Sequence, residues 1–154
     1  MPKKPEILST QTIATTRLFN IEQVDLKFSN GTVVQYERLR SSSAGAVLVV
    51  PMKDEKTVLM IREYAAGVDR YELALPKGRI EKGESPIEAA NREMMEEVGF
   101  GSNRLTQIIS MTLAPGYFGH VTHVVLAEDL YPQKNEGDEP EEIEVVPWQI
   151  DNIT

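Results

Sequence analysis

Three carboxylates, Glu93, Glu96 and Glu97, stand at spacings of i, i+3 and i+4. On a helix such residues share one face. Like charges at that spacing destabilise an isolated helix, so a sequence that keeps them together points to something that neutralises them. Hard divalent cations prefer oxygen ligands of this kind, which makes a metal site the leading reading. The competing reading is a solvated acidic helix face. Arg92, four residues before Glu96, is placed to pair with it and help orient it.

The helix that must carry these groups is well marked. Ser85 is a good N-cap, Pro86 takes the first helical position, and Glu88 completes a capping box. Gly99 is placed to end the helix in a left-handed cap. Ile87, Ala90, Met94 and Val98 recur at three and four residues and form the apolar stripe. Ahead of the helix, LPKGRIEKGES has Gly78 and Gly83 and no helical periodicity. It reads as a loop approaching a helix N-terminus, where backbone N–H groups favour anions.

Strands are expected on both sides of that helix. Residues 1 to about 16 read as an arm, and residues 18–39 as a hairpin: Val24, Leu26 and Phe28 alternate, Asn30-Gly31 is a two-residue turn, and Val34 and Tyr36 alternate on the return. Apolar runs at 46–50 and 57–61 flank the polar turn 53–56, and 71–75 is a third short strand. Residues 105–112 and 121–126 read as strands around a loop at 114–120, 131–142 as a long acidic loop, and 143–148 as a final strand. Asp151 is placed to cap a further helix, but the sequence stops at Thr154. The pattern implies an α+β fold with a mixed sheet. It divides into an arm and hairpin, residues 1–40, and a larger domain, residues 41–154.

The 154 residues are 41% hydrophobic and 26% charged, as in a soluble globular domain with a real core. A net charge of −8 argues against general binding of nucleic acid or anionic membrane, though not against a nucleotide in a local pocket. With no cysteine there is no thiolate chemistry and no disulfide, which fits a cytoplasmic protein. The start MPKKPEILST lacks the apolar core of a signal peptide, and the apolar stretch 44–52 is too short to span a bilayer.

Written out, the central segment is Gly78, five residues, Glu84, seven residues, then Arg92-Glu93-Met94-Met95-Glu96-Glu97-Val98-Gly99-Phe100. At every defining position it resembles the box of the Nudix hydrolases, which cleave a nucleoside diphosphate linked to another moiety with Mg²⁺ or Mn²⁺. The resemblance implies an α/β/α sandwich with a mixed sheet, an N-terminal antiparallel β-hairpin arm, and the box as loop–helix–loop. It also implies a second helix on the other face, which is not complete in this sequence. Beyond the box, IEQVDLKFSNGTVVQYERLR, IREYAAG, YELALPKG, APGYF and LYPQKNEGDEPEEIEV are similar to the ADP-ribose pyrophosphatase branch. Pro115, fifteen residues past Phe100, sits where that branch is associated with ADP-ribose hydrolysis. Two features depart from it. Ala65 stands where an arginine is common, and Leu75-Pro76-Lys77-Gly78 replaces Glu-Leu-Pro-Ala-Gly. The Pro-Lys-Gly form, with Tyr117, is similar to diadenosine polyphosphate hydrolases. ADP-ribose, NADH and diadenosine compounds all stay open as substrates.

The resemblance also implies roles. Glu93 and Glu97 are the principal metal ligands, Glu96 a third ligand or a close neighbour that steadies them, and the Lys77 carbonyl a further ligand. Glu84 orients the loop and helix. Arg62 and Arg79, then Lys77, and Arg38 or Arg40 from the hairpin are the candidates for gripping phosphates, a task suited to arginine. Tyr36, Tyr64 and Tyr117 are the candidates for stacking on adenine. His120 and His123 read as structural. Glu139 is the candidate general base, with Glu141, Glu142 and then Glu96 as alternatives. The expected partners are a small nucleotide substrate and a second copy of the chain, joined through the arm. The other classes considered are a nucleotide-sensing domain without catalysis and an enzyme acting on free nucleoside triphosphates.

Overall fold

Alternating side chains and a short turn make the first of two units, Met1–Ser42 with Thr112–Val121; the second is Ser43–Met111 with Thr122–Thr154. The structure, a computed structural model, describes residues 1–40 and 44–153. In the first unit β1 (Glu6–Thr15), β2 (Asn20–Lys27) and β3 (Val33–Arg40) form an antiparallel sheet in that order. The arm expected at residues 1–16 is therefore largely a strand, paired from Glu6↔Lys27 to Thr15↔Asn20. Every residue of β1 is exposed, so backbone pairing rather than burial defines it.

The turn after β2 differs from the expected two-residue form. Phe28 N–H donates to Thr32 O and Gly31 N–H to Phe28 O, both at 2.9 Å, leaving three loop residues. Gly31 has φ +86°, the left-handed residue that closes a three-residue hairpin loop at no steric cost. The segment Thr112–Val121 joins this unit: Leu39 N–H donates to Tyr117 O at 2.7 Å, and Leu39 bridges Phe118 in parallel.

The second unit holds β4 (Ala46–Pro51), β5 (Thr57–Ala65), β6 (Arg70–Ala74), β7 (Lys77–Arg79), α1 (Pro86–Glu97), β8 (Phe100–Thr112), β9 (Val121–Pro132) and β10 (Glu144–Gln149). One sheet has the order β10-β5-β6, the other β7-β4-β9-β8. The second is mixed: β4 runs parallel to β9, Ala46↔Thr122 to Pro51↔Ala127, and antiparallel to β7. Helix α1 packs on β4 and β7. Val47 and Val49, Ile61, Met94 and Val125 form the dry centre of this core.

Three strands outrun their apolar runs. β5 continues to Ala65, β8 begins at Phe100, and β9 reaches Pro132. The pairing of β5 with β6, Ile61↔Ala74 to Ala65↔Arg70, continues through charged residues because the ladder needs backbone, not apolarity. β7 lies inside the stretch expected to be loop, held by Lys77 to Arg79 pairing with Leu48 to Ala46. The second helix implied by the resemblance is absent among the described residues, where a 3-10 turn, Ile150–Asn152, follows β10.

Candidate active site

The capping box forms as its sequence requires: Glu88 N–H donates to Ser85 Oγ at 3.2 Å, and Ser85 N–H to Glu88 Oε2 at 2.8 Å. At the other end Gly99 takes φ +82°. The apolar stripe turns Ala89, Ala90, Met94 and Val98 into the core, with Ile87 partly buried beside them. The same rotation carries Glu93 and Glu97 inward, to 8% and 4% exposure. A solvated acidic face is therefore excluded for these two.

Strand β7 explains how two carboxylates tolerate that position. Glu97 Oε2 accepts the Lys77 N–H at 3.0 Å. Glu93 lies against Gly78, whose missing side chain leaves the space its carboxylate fills. Burial pushes the Glu97 carboxyl up to about 8, with the Lys77 N–H working against the rise and Glu93 adding to it. Burial also raises Glu93; Arg92 opposes this, while Glu96 and Glu139 add repulsion.

Arg92 organises the rest. Its Nε and Nη2 grip Glu84 Oε1 and Oε2 at 2.7 and 2.9 Å, a bidentate fork. Nη1 reaches Glu93 Oε1 at 2.7 Å and Glu96 Oε2 at 3.3 Å, and Nη2 donates to Arg79 O at 3.0 Å. Glu84 also accepts the Glu81 N–H at 2.9 Å, so it ties the approach loop to the helix. The Arg92 guanidinium holds the Glu84 carboxyl below the usual range, and Glu84 raises Arg92 in return.

These groups open on a groove of about 1030 Å³. Its lining carries eight carboxylates, on Glu63, Glu81, Glu93, Glu96, Glu97, Glu136, Asp138 and Glu139, against four cations, on Lys77, Arg79, Lys82 and Arg92. Of the expected site residues, Lys77, Arg79, Glu93, Glu96, Glu97 and Glu139 meet here. Arg62 is not in the lining; its Nε pairs with Glu144 at 2.9 Å across β5 and β10. Arg38, Arg40 and Tyr117 belong to the first unit. There Arg38 and Arg40 pair with the buried Glu22 at 3.0 and 3.4 Å. Tyr117 is exposed and lines, with Tyr36 and Arg38, a smaller groove of about 330 Å³. His120 stacks on Phe118, and His123 Nδ1 lies 2.8 Å from Ser110 Oγ; neither lines the acidic groove.

Glu63 and Lys82 were missed from sequence. Glu63 pairs with Lys77 in the groove. It sits on β5 two residues past Ile61 and four past Leu59, so strand alternation carried beyond the apolar run would have found it. Lys82 has no comparable signal.

Among the described residues, no three Asp, Glu, His or Cys side chains are already gathered in a geometry that could hold a metal ion. Arg92 stands among Glu84, Glu93 and Glu96 instead. The donor chemistry nevertheless fits a hard cation. Glu93 and Glu97 offer buried oxygens, and among the described residues Glu97 is held only by a backbone N–H, without an ion pair.

A capped helix that buries two carboxylates against a mixed sheet is how this segment would serve a hydrolase of diphosphates, and the wider chain agrees. It belongs to the Nudix family: residues 42–149 match the NUDIX domain, and residues 5–38 match the NudE-type Nudix hydrolase N-terminal domain. Over 148 residues, 96% of this chain and 79% of the relative, it is 51% identical to the ADP compounds hydrolase NudE of Escherichia coli (strain K12). It is 34% identical over 146 residues, 90% of this chain and 78% of the relative, to an ADP-ribose pyrophosphatase of Bacillus subtilis (strain 168). A crystal structure of an ADP compounds hydrolase superposes with a TM-score of 0.92 at 48% identity, covering 99% of this chain and 82% of that one. The protein is a Nudix pyrophosphohydrolase, of a family that works with a divalent cation.

Proposed function

We infer that the acidic groove hydrolyses the pyrophosphate bond of ADP-linked compounds, namely ADP-ribose, NADH and diadenosine polyphosphates, and releases AMP. The relatives named above carry that substrate class in their names. The observation that carries the reading is the burial of Glu93 and Glu97 in a groove with twice as many carboxylates as cations. A diphosphate entering such a groove meets repulsion unless cations come with it.

Glu93 and Glu97, with Glu96 and the Lys77 carbonyl, would hold Mg²⁺ or Mn²⁺, which when bound screens the phosphate oxygens and acidifies water. Glu139 accepts the proton of the attacking water; in support, it lines the same groove and lies near enough to Glu93 to raise its carboxyl. Arg79 and Lys82 take the phosphates, and Lys77 joins them when it leaves Glu63. Arg92 keeps Glu84, Glu93 and Glu96 in register throughout.

A two-fold homodimer belongs to the same reading. Ile7, Leu8 and Ile13 on β1 are exposed, and a three-stranded sheet with one buried apolar residue, Val24, has little core of its own. Arg38, Arg40 and Tyr117 are assigned to substrate through that assembly, and light scattering at micromolar concentration should give twice the chain mass. We assign the enzyme to the cytoplasm on its lack of cysteine and its nucleotide substrate. No helix among the described residues is long and apolar enough to cross a membrane.

The deciding experiment is a panel of ADP-ribose, NADH, diadenosine polyphosphates and free nucleoside triphosphates with Mg²⁺, with products identified by chromatography. AMP from the first three and little turnover of the triphosphates is expected. Preference for triphosphates would overturn the reading.

A further inference from the structure

The acidic loop between β9 and β10 is fastened at both ends and free in the middle. At its start Gln133 N–H donates to Gly99 O and Asn135 N–H to Met95 O, both at 3.0 Å, and Lys134 Nζ donates to Glu96 O. These bonds tie the loop to the C-terminal end of the helix that carries Glu96 and Glu97. Residues 136–140 make no hydrogen bond among the described residues, yet they wall the groove. The next fixed point is Glu141, whose Oε1 accepts the Tyr71 hydroxyl at 2.6 Å.

Tyr71 is itself held in direction. It lies on β6 directly opposite Tyr64 on β5, and the two rings meet edge to face with centroids 5.6 Å apart. The Tyr64 hydroxyl donates to Asp69 Oδ1 at 2.5 Å. Asp69, with φ +53°, makes the turn that joins the two strands. Both tyrosines are about half exposed, so neither is placed there to fill the core. The Glu141 carboxylate raises the Tyr71 phenol above its ordinary value, which keeps it a donor. Glu141 is two residues from Glu139, and two residues of chain span at most about 7 Å. Fixing one therefore confines the other.

We propose that Tyr71 is a positioning residue for hydrolysis: its hydrogen bond to Glu141 latches the acidic loop and holds Glu139 facing Glu93. The proposal rests on the reading of Glu139 as general base. Without the latch the loop middle is held only from Asn135 and from Glu144, where β10 begins, and Glu139 samples positions away from the reacting water.

The test uses Tyr71→Phe, which removes the hydroxyl and keeps the ring contact, beside Glu141→Ala and Glu141→Gln in the full chain. Tyr71→Phe and Glu141→Ala should each lower kcat roughly tenfold with KM little changed, the signature of a misplaced catalytic group. Glu141→Gln keeps an acceptor oxygen and should recover most of what Glu141→Ala loses. NMR order parameters of amides 136–139 should fall in Tyr71→Phe. Added to Glu139→Gln, Tyr71→Phe should lower kcat no further, because the group it positions is gone. Unchanged kcat and order parameters in Tyr71→Phe, or equal losses in both Glu141 variants, overturn the latch. Near-wild-type turnover in Glu139→Gln removes only the base assignment; the latch then stands or falls on the order parameters in Tyr71→Phe.

Discussion

The Glu93 carboxylate rests against Gly78, in space that a Cβ at position 78 would occupy. The glycine that opens the spacing of the box and the first glutamate of its acidic run are thus one structural unit. Strand β7 can lie on β4 and still leave room for a carboxylate from α1 only if residue 78 has no side chain. Gly78→Ala must move either Glu93 or β7. We expect kcat to fall about a hundredfold, as for a displacement near 1 Å. The midpoint of a Mg²⁺ titration should rise as well. Wild-type kcat in Gly78→Ala would show that the contact has no catalytic consequence.

Glu97 makes a pH-dependent contribution to stability. Its carboxyl sits at about 8 in the folded chain against an ordinary value of 4.5. Between those values the folded state keeps a proton that the unfolded state has released. This contribution is complete below the ordinary value and is lost as pH rises through the folded one. In EDTA, Tm should therefore fall between about pH 5 and about pH 8, more steeply in wild type than in Glu97→Gln. Saturating Mg²⁺ should flatten the wild-type slope by binding the ionised form. Parallel Tm curves for wild type and variant in EDTA would remove this assignment.

Arg92 is the hub that Lys cannot replace. Its fork holds both oxygens of Glu84 while a third nitrogen serves Glu93 and Glu96. An ammonium offers no planar fork. Arg92→Lys should cost about 2 kcal/mol of stability, the range for charged hydrogen bonds lost in a partly buried site. It should also lower kcat. Denaturant unfolding gives the first value directly, and a change below about 0.5 kcal/mol would match an ordinary surface charge instead.

Arg79 has its carbonyl engaged by Arg92, while its guanidinium makes no ion pair among the described residues. It lines the groove and is available to an incoming phosphate. Arg79→Ala should raise KM for ADP-ribose about tenfold with a smaller effect on kcat, as for loss of uniform binding. Steady-state kinetics that leave KM unchanged would move the phosphate contact to Lys82 or Lys77.

Local signals were legible and non-local ones were not. The capping box at Ser85 and Glu88, the left-handed Gly99 and the strand at 46–50 depend on near neighbours, and each stands where its residues indicate. The carboxylate pattern pointed to the groove because helical spacing alone groups Glu93 with Glu97. Their burial was not legible, since it depends on β7 crossing them. Glu63 escaped notice because charge interrupts the apolar run before the strand ends. Arg62 looked available for phosphate, but its engagement by Glu144 depends on a pairing of residues 82 apart in sequence. Arg38 and Arg40 looked like free cations for the same reason, with Glu22 hidden on the adjacent strand.

The most direct test of the central claim is the initial rate of AMP release from ADP-ribose as Mg²⁺ is titrated into metal-stripped enzyme, for wild type and Glu97→Gln side by side. The expected result is a saturable rise in wild type from a negligible rate in EDTA, and a rate lower by about a thousandfold in the variant at saturation, while both keep the same fold by circular dichroism. Full activity in excess EDTA, or equal rates for the two proteins, would contradict the assignment of Glu97 and its neighbours to a cation.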